Sequence, residues 1–421
     1  MKEFILSNKN TTYATHGLHS YAAKCPPELV DYGLENYSQA GDWILDPMVG
    51  SGTTMVEAII RGRNVIGFDI DPLACLISKV KSNYICDEKI VNAFGLVKSK
   101  VLRDLALLES HAPNSRVRSR AKRPEDFQNI DHWFAPEVVS TLSLLTHHIA
   151  NIPIEEDVRD FLWVAFSGII IAKSSVANAR DIIHSRSHYY EHPKVPNVME
   201  KFDARVKKMQ RHMLEFYKLS STEAAIQKRI LRGDARYLPL QNETVDLVFT
   251  SPPYATALDY QRAHFLAIGW MKKALNVTLK DYRIDGAVYI GSEKGRVVPY
   301  HKSEIFRYNI IYNLVSQLEK VDKRKAFLFY RYFSDMQRVM SEIARVLKPG
   351  KHAIIVVCPS HIRKIQIPTH EALKEFGESF GLELVEKHIR TIDTSKRILP
   401  YVRESFGERM STEYVLVFRK G

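Results

Sequence analysis

The chain has 421 residues, 45% of them hydrophobic, and a formal net charge of +12 at neutral pH. This length predicts one large domain with an insertion, or two domains. No apolar run approaches the length that crosses a bilayer, and the first residues lack the long apolar stretch of a signal peptide. We therefore expect no membrane association and a cytoplasmic location.

The cysteines and the charge narrow the class of protein further. Four cysteines, at positions 25, 75, 86 and 358, are widely scattered without a Cys-x-x-Cys pair. This argues against a zinc site or a disulfide framework, so no metal centre is expected. The positive charge favours a polyanionic partner, although many basic proteins have none. Five cations within residues 116–123 predict a basic loop, which either contacts phosphates or is a solvated linker.

The first predicted elements alternate between strand and helix. A buried strand is expected at 42–49, a helix at 53–61, a second buried strand at 64–70 and a second helix at 72–81. This order is typical of a doubly wound parallel sheet.

The pattern changes in the middle of the chain. Residues 85–228 are mainly helical, with strongly apolar helices predicted at 138–149 and 158–171. Strand signals return at 229–233 and 245–250.

The last third of the chain contributes further helices and the remaining strands. A helix is predicted at 260–273, followed by irregular chain to residue 300. An amphipathic helix at 329–347 ends at a Lys-Pro-Gly turn. The last strands are expected at 352–357, 383–389 and 413–418, the final two as an antiparallel pair.

A glycine-rich turn follows the first strand, in the segment LDPMVGSGTT at residues 45–54. Gly50 and Gly52 let the backbone approach a ligand closely, because a side chain there would collide with it. The helix that starts at Thr53 offers backbone N–H groups to a polar ligand end. No Lys follows the glycines as in a phosphate loop, so ATP and GTP are disfavoured.

An acidic residue ends the second strand. Dinucleotide-binding folds place an acid at this spacing to bind ribose hydroxyls. Asp69 occupies the position, and Asp71 is the alternative because it points to the same face.

A second unusual segment, VFTSPPY at residues 248–254, reads as a strand that ends in a rigid tip. The two prolines fix φ and cannot donate hydrogen bonds, so the tip is stiff. Together with the glycine-rich turn, it resembles the motifs of the DNA amino-methyltransferases, the N4-cytosine and N6-adenine family. That family carries the pattern Asp-Pro-x-x-Gly-Ser-Gly-Thr-Thr, and in some members it precedes Ser-Pro-Pro-Tyr, as it does here.

The resemblance implies S-adenosylmethionine as the cofactor, DNA as the partner, and a doubly wound seven-strand methyltransferase sheet with a mainly helical insertion. The cofactor-binding residues that it implies in the first motif are Asp46, Pro47, Gly50, Ser51, Gly52, Thr53 and Thr54. Asp69, or alternatively Asp71, adds the ribose contact.

Two more segments are similar to the family. In the first, at residues 15–29, Tyr21 and Lys24 match a stretch that covers the methionine end of the cofactor. Ala22 stands there where Pro is common, and Cys25 where an aromatic residue is common. In the second, Asp234 matches the acid that reaches the adenine amine.

The tip is implied to be catalytic. An exocyclic amine is a poor nucleophile because its lone pair is delocalised into the base. The Ser251 hydroxyl and the Pro252 carbonyl could accept its two N–H bonds, while Pro253 stiffens the tip and Tyr254 stacks on a flipped base. Serine before Pro-Pro-Tyr is commoner in the cytosine-N4 enzymes. Asp259, Tyr260 and His264 continue the family pattern, with His264 expected to be structural.

The motifs divide the chain into three predicted parts. Residues 1–84 form the cofactor-binding part, 85–228 the helical insertion and 229–421 the catalytic part. Within the insertion, 173–180 and 184–192 carry polar and aromatic groups that either contact DNA or cap the helices.

Alternative functions remain open at this stage. They are an adenine-N6 DNA methyltransferase and an RNA base N-methyltransferase, since tRNA guanine-N2 enzymes carry a similar glycine-rich turn. A DNA-binding protein without methyltransferase activity is disfavoured by the intact tip. A cognate restriction endonuclease is a further candidate partner.

Overall fold

A computed structural model describes residues 2–3, 10–110, 114–125, 127, 129–170, 176–177, 195–220, 225–255, 260–284, 288–294, 297, 308–362, 365–391 and 412–421. The strands are β1 (Lys2–Glu3), β2 (Trp43–Asp46), β3 (Asn64–Asp69), β4 (Lys228–Arg232), β5 (Val245–Thr250), β6 (Leu347–Val357), β7 (Ser360–Ile362), β8 (Ile365–Ile367), β9 (Leu382–Thr391) and β10 (Thr412–Lys420).

The helices are α1 (Pro27–Tyr37), α2 (Thr53–Ile60), α3 (Pro72–Lys81), α4 (Asp87–Glu109), α5 (Ser115–Arg120), α6 (Ile130–Trp133), α7 (Pro136–Asn151), α8 (Glu156–Ile170), α9 (Val198–Ser220), α10 (Tyr260–Met271), α11 (Leu279–Ile284), α12 (Asn309–Val321), α13 (Lys323–Val346) and α14 (Thr369–Ser379).

The main sheet has the order β1-β9-β10-β6-β5-β2-β3-β4. Its central strands are parallel, and β10 runs antiparallel to both neighbours, β6 and β9. The chain builds the sheet outward from β2 through β3 to β4, then continues on the other side of β2 with β5. A topological switch point therefore lies between β2 and β5, where open α/β sheets bind their ligands.

The predicted doubly wound sheet is confirmed. Seven strands occur at the expected places, the last two pair antiparallel, and the two-residue β1 is an additional edge strand. Neighbouring residues on each central strand point to opposite faces. Leu45 and Val248 enter the core that includes α12, α13 and α14, whereas Ile44 and Leu247 enter the core beneath α1 and α2.

The helical segment α4–α9 shares its core with two helices of the sheet domain. One apolar cluster joins Phe161 of α8 to Ile77 of α3 and Leu266 of α10. In the described part of the chain, no helix is long and apolar enough to span a membrane.

Three expectations about local structure were wrong. The stretch predicted to be irregular up to residue 300 contains helix α11 (Leu279–Ile284). The basic stretch is only partly a loop: Asn114 accepts from Arg116 N at 2.7 Å and caps the short helix α5, whereas Lys122 and Arg123 follow the helix. Arg120 of this helix also pairs with buried Asp104 at 2.9 Å. The long amphipathic helix begins at Lys323 rather than 329, because Asp322 caps it by accepting from Lys325 N at 3.0 Å.

The packing of α1 on the sheet generates a stability prediction. A Cβ on Gly33 would lie 2.8 Å from Ile354 Cδ1 and 2.9 Å from Phe249 Cδ2, so Gly33→Ala should destabilise the fold by about 1–3 kcal/mol. Gly95→Ala is the matched control, because its Cβ on the exposed side of α4 meets nothing within 4 Å. That change should stabilise by about 0.5–1 kcal/mol. Opposite shifts in the thermal midpoint are expected; equal shifts would contradict the packing.

Candidate active site

A cavity opens at the carboxyl edge of the sheet, beside the switch point. Most of the sequence-predicted site residues line it, namely Tyr21, Lys24, Asp46, Pro47, Gly50, Ser51, Thr53, Thr54, Asp69, Asp71, Asp234, Ser251 and Pro253. Gly52, Pro252 and Tyr254 lie next to it without lining its wall.

The glycine-rich turn has the conformation that its sequence predicts. Gly50 and Gly52 have φ values of +48° and +79°, in the left-handed region that favours glycine. A Cβ on Gly52 would also lie 2.8 Å from Ser78 Oγ, so a side chain has no room there. Ser78 Oγ donates to Gly50 O at 2.9 Å and fixes the turn from below.

A buried lysine supports the same turn. Lys81, at the end of α3, is fully buried, and its Nζ donates to Ser51 O at 2.6 Å. Burial lowers the pKa of Lys81 well below its ordinary value, and the nearby Lys24 adds to this effect. No local pattern in the sequence singles out this residue.

Asp46 connects the cofactor turn to the catalytic strand. Its Oδ2 accepts from Thr54 Oγ1 at 2.6 Å, and its Oδ1 accepts from Thr250 Oγ1 at 2.9 Å and Met48 N at 3.1 Å. Burial raises the pKa of Asp46 to about 6. Since these hydrogen bonds occupy both oxygens, Asp46 organises the cavity wall as well as lining it.

Asp69 presents its carboxylate beside the glycine-rich turn. Its Oδ2 accepts from Gly50 N at 2.8 Å, and its Oδ1 accepts from Asp71 N at 2.9 Å. Each oxygen keeps a further lone pair for a ligand hydroxyl. Burial, and secondarily the neighbouring Asp71, raises the pKa of Asp69 to about 7.

Asp71, the alternative ribose ligand, has other partners. Its Oδ1 accepts from Leu73 N at 2.8 Å and Ala74 N at 3.1 Å, which caps α3. Its Oδ2 lies 3.0 Å from His264 Nδ1 and accepts from Tyr282 Oη at 3.1 Å. Burial would raise the pKa of Asp71, but His264 and these hydrogen bonds bring it below its ordinary value. Asp69 therefore stays the predicted ribose ligand, and the structural role of His264, which contacts Asp71, stays a prediction.

Asp234 is held in place by an arginine. Arg236 donates to it through Nε at 2.9 Å and Nη2 at 2.6 Å, and pairs with Asp335 at 2.7 Å through Nη1. This clamp fixes the orientation of Asp234 at the β4 end of the cavity.

The N-terminal segment folds across the cavity. The Tyr21 ring stacks on Tyr260, with ring centroids 5.7 Å apart. Lys24 Nζ donates to His16 O at 3.0 Å, so in this structure Lys24 braces the segment itself. His16 Nε2 lies 2.6 Å from Glu57, whose pKa burial raises to about 7.

The tip at residues 251–254, which the resemblance implies to be catalytic, is anchored on both sides. Tyr332 Oη donates to Pro253 O at 3.1 Å, and Tyr254 Oη donates to Glu413 Oε1 at 2.9 Å. In the described part of the chain, neither the Ser251 hydroxyl nor the Pro252 carbonyl has a hydrogen-bond partner. These are the two acceptors that the family resemblance implies for the target amine.

Sequence reasoning missed part of the wall. Gln261, Tyr289 and Ser292 also line the cavity, and the last two come from the stretch predicted to be irregular, which carries no motif. Asp259 and the segments 178–180 and 184–192 lie outside the described residues, as do 173–175. Among the described side chains, no group of three or more His, Cys, Asp or Glu could hold a metal ion.

Comparisons with known proteins agree with this geometry. A DNA methylase family model, N6_N4_Mtase, matches residues 3–80. The chain is 27% identical over 405 residues to the Type II methyltransferase M.MvaI of Kocuria varians, covering 92% of this chain and 86% of the relative. It is 23% identical to the Type II methyltransferase M.BsoBI of Geobacillus stearothermophilus, covering 84% of this chain and 76% of the relative.

A solved structure was also matched. It is a SAM-dependent methyltransferase from Methanosarcina mazei, 9% identical, with a TM-score of 0.32 over 92% of this chain and 96% of that chain.

The geometry at Asp69 predicts its effect on cofactor affinity. Asp69→Ala should weaken S-adenosylmethionine binding by about 1–3 kcal/mol, because a charged acceptor is lost. The ribose hydroxyls are expected to bind the ionised form of Asp69, whose pKa is about 7. Affinity for S-adenosylmethionine should therefore be highest above this pH and fall as the pH drops below it. Titration calorimetry across this range measures both effects.

Two variants control the Asp69 experiment. Asp69→Asn keeps the side-chain shape and should remove most of the pH dependence of binding. Asp131→Ala removes an exposed carboxylate of the helical segment and should change neither affinity nor its pH profile. Normal affinity in a folded Asp69→Ala protein would exclude the ribose role.

Proposed function

We propose that this chain, a DNA amino-methyltransferase of the N4-cytosine/N6-adenine family, methylates N4 of a cytosine that is turned out of duplex DNA. The observation that carries the proposal is the shared cavity. It brings Gly50 and Asp69 of the cofactor half together with Ser251 of the catalytic tip.

The cavity fits S-adenosylmethionine. The left-handed glycines leave room for a ligand against the turn, and Asp69 keeps lone pairs for the ribose hydroxyls. Asp234, oriented by Arg236, stands at the end of β4 to meet the adenine amine. When bound, the cofactor supplies an electrophilic methyl group on its sulfonium.

The tip prepares the amine for attack. The Ser251 hydroxyl and the Pro252 carbonyl accept its two N–H bonds, which draws the nitrogen toward tetrahedral geometry and directs its lone pair outward. The prolines keep the two acceptors at a fixed separation. Anchoring of Pro253 by Tyr332 at 3.1 Å removes further freedom, so positioning supplies much of the rate.

The preference for cytosine is supported by Ser251. Among enzymes with this tip, serine before Pro-Pro-Tyr is commoner in those that act on cytosine N4. The net charge of +12 supports a DNA substrate through attraction to phosphates. Because the matched relatives are named Type II methyltransferases, we also propose a protective role beside a restriction endonuclease in the cytoplasm.

Nucleoside analysis tests the function directly. The purified protein is incubated with mixed genomic DNA, or with total RNA, and isotope-labelled S-adenosylmethionine, and the digested nucleosides are separated by mass spectrometry. Label in 4-methylcytosine is expected. Label only in 6-methyladenine would replace cytosine with adenine as the target, and label only in RNA bases would overturn the DNA assignment.

The tip also predicts a separation of catalysis from cofactor binding. Ser251→Ala removes one acceptor of the amine and should lower turnover by about 100-fold or more, as when one transition-state hydrogen bond is lost. Affinity for S-adenosylmethionine should stay near normal. Ser99→Ala, at an exposed position of α4, is the control and should leave turnover unchanged. Normal turnover of Ser251→Ala would remove the tip from the mechanism.

A further inference from the structure

We propose that Glu413 is a positioning residue for methyl transfer. It fixes the side chain of Tyr254 through its phenolic hydroxyl, and Arg390 in turn fixes Glu413. The inference rests on the proposed function, since it concerns the same catalytic tip.

The contacts link the tip to the last two strands of the sheet. Tyr254 Oη donates to Glu413 Oε1 at 2.9 Å, across 159 residues of sequence. Arg390 Nη1 donates to the other oxygen, Oε2. Glu413 of β10 and Arg390 of β9 are directly opposed in the antiparallel register. Each carboxylate oxygen therefore serves one partner.

The ion pair between Arg390 and Glu413 is largely shielded from solvent. The side chains of Arg390 and Glu413 are 16% and 11% exposed. Hydrogen bonds to charged groups are stronger than neutral ones, and removing one partner of a shielded pair leaves the other poorly compensated. Tyr254 is thus held from a rigid strand pair rather than by its own loop.

The chemistry gives this anchoring a function. The hydroxyl of Tyr254 is bound to Glu413, and its ring lies beside the cavity rather than in its wall. This hydrogen bond therefore sets where the ring stands when a base enters. The two prolines fix their own φ angles but not the side-chain torsions of Tyr254, which the hydrogen bond from its hydroxyl to Glu413 restricts. Fixing these torsions before the base arrives lowers the entropic cost of reaching the reactive arrangement.

A purely structural role for the same pair makes a different prediction. Glu413 and Arg390 are cross-strand neighbours, and such pairs stabilise sheets. On that hypothesis, changing Glu413 lowers stability but leaves turnover of the folded enzyme unchanged. Tyr254→Phe, which leaves the pair intact, would then have no effect on turnover at all.

A double-mutant cycle distinguishes the two roles. Tyr254→Phe and Glu413→Ala should each lower kcat by about five- to tenfold, the size of one hydrogen bond, and the double variant should be no worse than the poorer single variant. Glu413→Gln keeps an acceptor and should recover most of the activity. Affinity for S-adenosylmethionine, measured by calorimetry, should not change.

Two further measurements complete the test. The fluorescence of 2-aminopurine at the target base should be higher in the Tyr254→Phe complex than in the wild-type complex, because stacking quenches this base and is less well defined in the variant. Glu383→Ala is the matched control: Glu383 opposes Arg419 on the same two strands, away from the tip, and its loss should leave kcat unchanged.

The outcomes test the proposed function and the role of Glu413 separately. Wild-type enzyme that methylates no base would overturn the proposed function. Wild-type activity together with normal kcat in Tyr254→Phe, or with strictly additive losses in the cycle, would overturn the role of Glu413 while leaving the function in place. If Glu413→Ala does not fold, Tyr254→Phe and Glu413→Gln still decide the matter.

Discussion

The site depends on one buried carboxylate, Asp46, which connects two strands that are neighbours only in the folded sheet. Its hydrogen bonds reach Thr54 at the start of α2 and Thr250 at the end of β5, so the cofactor turn and the catalytic tip share one anchor. Burial of this carboxylate costs free energy, which its hydrogen bonds must offset. The separation between the glycine-rich turn and the Ser251–Tyr254 tip is therefore set by a buried contact inside the sheet.

The parts of the site that could be predicted from sequence are those encoded locally. The glycine-rich turn at Gly50 and Gly52 and the start of α3 at Pro72 depend on neighbours only a few residues away. The helix predicted at 72–81 has those bounds in the structure, because Asp71 and Pro72 define its start. Motif resemblance supplied the identity of the ligand, which local physics alone does not give.

The remaining parts depend on long-range register. The hydrogen bond between Tyr254 and Glu413 depends on the pairing of β10 with β9. No sequence pattern near either residue predicts it. The same holds for Lys81 beneath the cofactor turn and for Tyr289 on the cavity wall. The sequence also did not predict that the helical segment shares its core with α10. The first turn of α10 places Tyr260 and Gln261 in the cavity wall. A displacement of those helices would therefore reach the site through α10.

The pairing of β2 with β5 also constrains when the site can form. Asp46 and Thr250 are 204 residues apart, and contacts of such separation form late because the intervening chain must first lose its loop entropy. Helices α4–α9 lie inside that interval, so their own folding shortens the span that remains to be closed. At ordinary rates of synthesis, the glycine-rich turn leaves the ribosome roughly 10–40 s before its partner strand. During that time the nascent chain carries a complete cofactor motif without the strand that supplies the catalytic tip.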